Sequence, residues 1–438
     1  MALFTVFICI VLLIVLVSWA KVNPFLAFLL VAIVAGLLLH IEPFKLVASI
    51  QKGLGDTLGS LVIIICLGAM LGKLIAASGA AQKISEVLVG AVGKKYIQWA
   101  LVITGFIIGI PLFYGIGFVL MVPLIFSLVY KYRLPAVYIG LPMLASLSVT
   151  HGFLPPHPSP AALVVQFGGN MGITLVYGII IAIPAIIIAG PVFALTLKNI
   201  PSNPLSTFRP VDLPADQLPG AFNSFFSALL PVLLLMLTAS LPLVADLPPQ
   251  WLKWLAFLGD PSLVMLIALA VATFSLGIKQ GKPMAELSTI YGEAVKDISL
   301  VLLIIAGSGA FKQVLTDSGL STTIAGQLKS FDLHPLVLGW VIAAIIRACL
   351  GSATVAGLTA AGIVASLVSE TGVNPNLMVL AIGAGSLAFS HVNDSGFWLY
   401  KEYFNLSMKD TFRSWTIMET LVSLVGLAGV MLINMLIS

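Results

Sequence analysis

The chain consists of long runs of Leu, Ile, Val and Ala that do not alternate with polar residues, separated by short breaks rich in Pro, Gly or charge. Runs of this length match the roughly 30 Å of hydrocarbon in a bilayer, where backbone amides cannot be hydrated, so the pattern predicts membrane-crossing helices. Spans are expected at 3–20, 24–41, 57–77, 136–170 and 174–197, then at 222–245, 261–280, 296–316, 376–396 and 414–437. Two of these are interrupted, at THGFLPPHPSP (150–160) and at SHVNDSG (390–396). Pro155 and Pro156 cannot continue a helix, because proline lacks the amide donor and its ring clashes with the preceding turn. Two further apolar segments, 96–130 and 335–368, break at GIPLFYGIG (109–117) and CLGSATVAG (349–357). They read as re-entrant hairpins, each made of two half-helices with an irregular tip inside the membrane.

The pattern runs twice. From about residue 24 onward, residue n matches residue n+240: Pro43 with Pro283, Ser78 with Ser318, Gly117 with Gly357, Pro135 with Pro375 and His151 with His391. Apolar coincidences are cheap in such a chain, but only five His exist in 438 residues and two of them share this offset. The expected architecture is therefore an all-α polytopic membrane protein of two inverted-topology repeats. Each repeat has about five transmembrane helices plus one re-entrant hairpin, with interrupted helices at the midplane, a plan typical of secondary transporters. The first repeat is placed at 1–198, a cytoplasmic linker at 199–221 and the second repeat at 222–438.

Composition agrees: 60% of residues are hydrophobic and 9% charged, and mean hydropathy is +1.12. The first apolar segment has no basic residue before it and no small-residue cleavage site, so it reads as a retained span. Three Cys, all in apolar segments, indicate neither a disulfide framework nor a thiolate metal site. Of the 21 Lys and Arg, fourteen fall on one face of this topology and Lys45, Lys52, Lys253 and Lys329 on the other. That bias places the richer face in the cytoplasm and both termini in the periplasm. Lys73, Lys312 and Arg347 lie within or beside apolar segments, the two lysines read as snorkelling to a face. The net charge of +4 follows from topology and gives no support to nucleic-acid binding.

Helix breaks expose backbone N–H groups with partial positive charge, which suit an anionic ligand. The first hairpin tip offers Tyr114 and Gly115, the second Ser352 and Thr354. The interrupted spans supply Thr150 and His151 in one half, and His391, Asn393 and Asp394 in the other. Arg347, four residues before Gly351, must meet either a substrate carboxylate or a structural partner such as Asp394. Hydroxyls, amides and imidazoles without a dense charge cluster suit a small polyhydroxy acid. Asp394, His151 and His391 are the proton-coupling candidates. No metal site, cofactor or catalytic residue is expected. An intramembrane enzyme and a channel are the alternatives of other classes, and neither an HExxH spacing nor a nucleophile elbow is present.

At these residues the chain resembles the gluconate permease (GntP) family of bacterial inner-membrane transporters. The resemblance rests on GAMLGKLIAASGAAQ (68–82), SLSVTHGFLPPHPSPAA (146–162), GAFKQVLTDSG (309–319), RACLGSATVAG (347–357) and SHVNDSGFWLYKEYFNL (390–406). It implies import of gluconate or a related sugar acid with protons, a repeat plan similar to the ion transporter superfamily, and a homodimer. Relatives also take ketogluconate, idonate, other small hydroxy acids and, in one branch, D-serine. The resemblance points to Thr150, His151, Ser352, Thr354, His391, Asn393 and Asp394 as lining residues, with Arg347 beside them. Where family members typically carry an acidic residue in the first tip, as in FYEVG, this chain reads FYGIG with Gly115. Coupling is then expected to shift to Asp394 or to a histidine, or to be weak or absent.

Overall fold

The computed structural model describes residues 2–93, 96–110, 114–155, 157–209, 213–244, 247–319 and 333–437, and every regular element among them is helical. The first half contains α1 (Ala2–Ser18), α2 (Pro24–Leu38), α3 (Pro43–Ala77), α4 (Ala80–Val92), α5 (Ile97–Gly109), α6 (Tyr114–Tyr132), α7 (Ala136–Phe153), α8 (Pro158–Phe167) and α9 (Met171–Leu197). The second contains α10 (Ala221–Val244), α11 (Pro249–Leu258), α12 (Pro261–Gln280), α13 (Met284–Asp317), α14 (Pro335–Leu350), α15 (Ala353–Thr371), α16 (Pro375–Gly385), α17 (Ser395–Tyr403) and α18 (Met408–Ile437). Among the described residues, eight helices are long and apolar enough to cross a membrane. At 17 and 15 residues, α1 and α2 are shorter than those eight.

Element order repeats at the sequence offset. Pro43 opens α3 and Pro283 caps α13; α5 and α6 correspond to α14 and α15, and α7 with its break corresponds to α16 with its break. The equivalent long helices α3 and α13 pack along one another in opposite directions. Gly53 meets Gly309 near the start of α3, whereas Lys73 near its end reaches back to Glu293. Two copies of one element lying antiparallel is the packing that an inverted repeat produces. In lipid no solvophobic force drives helices together, so close contact must come from small residues. A Cβ on Gly53 would meet the Gly309 carbonyl and Gln313, and a Cβ on Gly309 would meet Thr57. Both helices start earlier than the hydropathy pattern predicts, because their first three turns carry charges such as Lys45, Lys52, Glu286 and Glu293 and still continue the helix.

Both expected interruptions are present. α7 ends at Phe153 and α8 begins at Pro158, while α16 ends at Gly385 and α17 begins at Ser395. Pro156, tip residues 111–113 and the Lys94, Lys95 and Lys329 positions lie outside the described residues. In the segment expected as the first hairpin, α5 has 13 residues, about 20 Å of helix, too short to cross the hydrocarbon, whereas α6, with 19, is one of the eight helices long enough to cross. Lys73 does not snorkel freely, because Glu293 and Asp297 lie 3.0 and 3.1 Å from its Nζ.

The segment between the halves is a docked strap rather than a loose connection. Leu205 N–H donates to the Tyr403 carbonyl at 3.0 Å and Ser202 Oγ to the Phe404 carbonyl at 2.7 Å. Thr207 Oγ1 donates to Asp297 at 2.7 Å, and buried Phe208 packs on Gly72. The strap thus covers the Lys73 end of α3.

Gly53→Val should force α3 from α13 and lower the unfolding temperature of the detergent-purified protein by several degrees, an overpacking cost of about 1–3 kcal/mol. Gly55→Ala, where an added Cβ meets nothing within 4 Å, should leave it unchanged or higher.

Candidate functional site

A cavity of about 570 Å³ opens between the α3–α13 pair and the broken elements. Its walls come from α3 (Thr57 to Ile64), α13 (Ser308 to Lys312), the starts of α6, α15 and α17, the end of α7, and α18. Asp260, Pro261 and Ser262 at the start of α12 also line it. The α3 residues that line it straddle the middle of that helix, whereas Ser308 to Lys312 of α13 lie level with Gly53, so the cavity reaches from the middle of α3 toward the end away from the strap.

Local chemistry dictates why these elements break where they do. Gly351 caps α14 in the left-handed region at φ 70°, and the Asn393 backbone passes so close that any Cβ there would collide with it. Ser352 then starts α15, its Oγ accepting from Val355 N–H at 3.4 Å. Asp394 caps α17, its Oδ1 accepting from Gly396 N–H at 2.9 Å. Asn393 Nδ2 donates to the Ala348 and Cys349 carbonyls at 2.8 and 3.1 Å, tying the break in the second half to the adjacent hairpin tip. Four helix N-termini, those of α6, α12, α15 and α17, thereby border one cavity. Their free N–H groups make it receptive to anions.

At its centre Arg347, 4% exposed, pairs through Nη2 with Asp394 Oδ2. The same oxygen accepts from Ser390, whose Oγ in turn accepts from Trp415 Nε1 at 2.8 Å; Thr416 Oγ1 donates to the Ser390 carbonyl at 2.7 Å. Trp415 and Thr416 belong to a π-helical turn, Phe412–Thr416, at the start of α18, an irregularity common at functional positions. Trp415 also meets the Tyr114 ring edge-on at 5.4 Å. Arg347 Nε and Nη1 have no hydrogen-bond partner among the described residues. With one of its three donor nitrogens committed to Asp394, the guanidinium keeps capacity for another acceptor.

Of the sequence-based candidates, Tyr114, Gly115, His151, Arg347, Ser352, Thr354 and Asp394 line this cavity. Thr150, His391 and Asn393 are not among the lining residues. The Thr150 hydroxyl turns back along its own helix to the Ser146 and Leu147 carbonyls at 3.1 and 3.0 Å, and Asn393 is occupied in holding the tip. His157, whose Nε2 lies 2.8 Å from the Gly109 carbonyl, packs its ring 5.0 Å from His151 and braces the first break on the first hairpin. Gly115 faces open space, where an added Cβ would approach only Leu61, at 3.6 Å.

Three charged lining residues, Lys312, Glu419 and Asp260 at the exposed edge, were not among the sequence-based candidates. Lys312 faces the cavity rather than a membrane surface, because α13 turns that side toward the broken helices. Glu419, 2% exposed, accepts from Ser148 Oγ at 2.8 Å. The signal for Glu419 was available, since it is the one charged residue in the 414–437 apolar run.

Comparison with known proteins identifies the family. The chain matches the family described as GntP family permease over residues 1–436. It is 46% identical to the high-affinity gluconate transporter of Escherichia coli K12, with 100% of both chains covered. It is 44% identical to the Gnt-II system L-idonate transporter of the same organism, covering 97% of each chain. A gluconate permease of Bacillus subtilis 168 is 42% identical over 96% of this chain and 97% of its own. Full-length similarity at this level, together with an all-helical fold carrying eight candidate spans, assigns the chain: it belongs to the GntP family of permeases.

Proposed function

We propose that this permease imports gluconate or a closely related sugar acid across the bacterial inner membrane by alternating access, with protons as the coupling ion. The observation that carries the reading is the buried Arg347, whose Nε and Nη1 lack partners among the described residues beside a cavity bordered by four helix N-termini. A carboxylate accepting from Arg347 and Lys312 fits that donor set, and Ser352, Thr354 and Ser60 offer hydroxyls for a polyol chain. Similarity to proteins named as gluconate and L-idonate transporters supports the same substrate class. A small hydroxy acid or D-serine is the second reading, favoured only by the carboxylate-binding end of the site.

The two repeats supply the proposed motion, one repeat-built unit moving against the α3–α13 pair. The charge bias of the loops supports a cytoplasmic strap and periplasmic termini. With that orientation the cavity opens outward, the loading side for an importer. A homodimer and lipid contacts complete the reading by analogy with the family.

Proteoliposomes holding the purified protein should accumulate radiolabelled D-gluconate when an inward proton gradient is imposed. Equilibration that ignores the gradient would remove proton coupling, and no saturable uptake would move the substrate to other hydroxy acids. Lys312→Gln should raise the half-saturating gluconate concentration at least tenfold, since a hydrogen bond to a charged group contributes about 1.5–3 kcal/mol. Lys253→Cys, on exposed α11, should react with an impermeant maleimide in intact cells, and exposed Lys409→Cys only after permeabilisation. The reverse pattern would invert the orientation.

A further inference from the structure

We propose that Glu419 carries the proton that accompanies the substrate, so that Asp394 serves as a permanent counter-ion to Arg347. The assignment rests on the reading of the cavity as a proton-coupled sugar-acid site.

The two buried carboxylates of the cavity are held differently. Asp394 is saturated: it receives the Arg347 guanidinium and the Ser390 hydroxyl on one oxygen and the Gly396 amide on the other. Protonating it would strip Arg347 of its partner and leave a guanidinium uncompensated inside the membrane. Glu419 accepts one hydrogen bond, from Ser148, and forms no ion pair among the described residues. A carboxylate so placed is neither neutralised by a cation nor hydrated by bulk water. The titratable groups that share the cavity with it are Tyr114 from α6, His151 from α7, Asp260 before α12, Lys312 from α13, Arg347 from α14 and Asp394 before α17. Helices α9 and α16 also pack against α18 and carry no charged side chain except that of Lys198, just beyond α9.

Charge balance then links proton and substrate. Arg347 and Asp394 cancel, which leaves Lys312 and Glu419, since Asp260 sits exposed at the edge. A monoanionic sugar acid entering beside an ionised Glu419 would bring a surplus negative charge into a buried site. With a proton from the outer water on the Glu419 carboxylate, Lys312 and the substrate carboxylate balance. On the inner side the proton returns to water as the substrate leaves.

The test compares wild type with Glu419→Gln in proteoliposomes, measuring gradient-driven D-gluconate accumulation and gluconate–gluconate counterflow, which requires no net proton release. The expected result is loss of accumulation above the external concentration with counterflow retained. Accumulation by Glu419→Gln equal to that of wild type would overturn the assignment. Wild type that itself ignores the gradient while still exchanging gluconate would instead overturn the coupling on which the assignment rests, and the two failures are told apart by the wild-type trace. Should Glu419→Gln lose counterflow as well, Ser148→Ala decides: it keeps the carboxyl but removes its one partner. Its pH of half-maximal accumulation should then move from that of wild type, and an unshifted profile would overturn the proposal.

Discussion

A guanidinium buried among helices in a membrane protein must be answered, and the arrangement around Arg347 shows how much of the molecule is committed to answering it. The ion pair with Asp394 requires that α17 begin at that residue, since Asp394 also caps the helix. It requires Ser390 beside it, and Ser390 is in turn held by Trp415 and Thr416 from the π-helical turn of α18. Removing either charge would leave the other uncompensated, at a cost of about 3–5 kcal/mol. The breaks in the helices are therefore structural necessities as well as openings for a ligand: they bring caps, carbonyls and free amides to where the charge sits.

A second constraint is that one sequence plan must run through the membrane in both directions. The antiparallel pairing of α3 with α13 satisfies it by contact between backbones, with Gly53 and Gly309 removing the side chains that would hold the helices apart. The same pairing places the Thr57 to Ile64 and Ser308 to Lys312 segments on one wall, facing the hairpin tips. A rigid wall and a set of broken elements opposite it follow from repeat geometry before any ligand is considered.

Much of this was legible in the chain. Pro43 and Pro283, the Gly351 tip and the SHVNDSG break are read by their backbone chemistry, and the matching positions at an offset of 240 carry the repeat. Less legible was where side chains point. Thr150 and Asn393 lie in the expected breaks, yet one bonds along its own helix and the other to a neighbouring tip. Facing depends on the rotation of a helix against its neighbours, which an apolar run without amphipathic period does not encode. Lys312 and Glu419 were passed over for the same reason. A single charge in an apolar run can point to lipid headgroups or inward, and only packing decides.

The Asn393 amide, bonded to two carbonyls at the end of α14, has a mechanical meaning. It joins the second hairpin tip and the second helix break into one piece, with the Arg347–Asp394 pair enclosed across the joint. Any displacement that carries the tip carries its counter-ion at a fixed distance. Under the proposed alternating access, the electrostatic work of moving that part of the protein would be set by the cargo and by what the opposite wall presents, because the internal charges would travel as a neutral package.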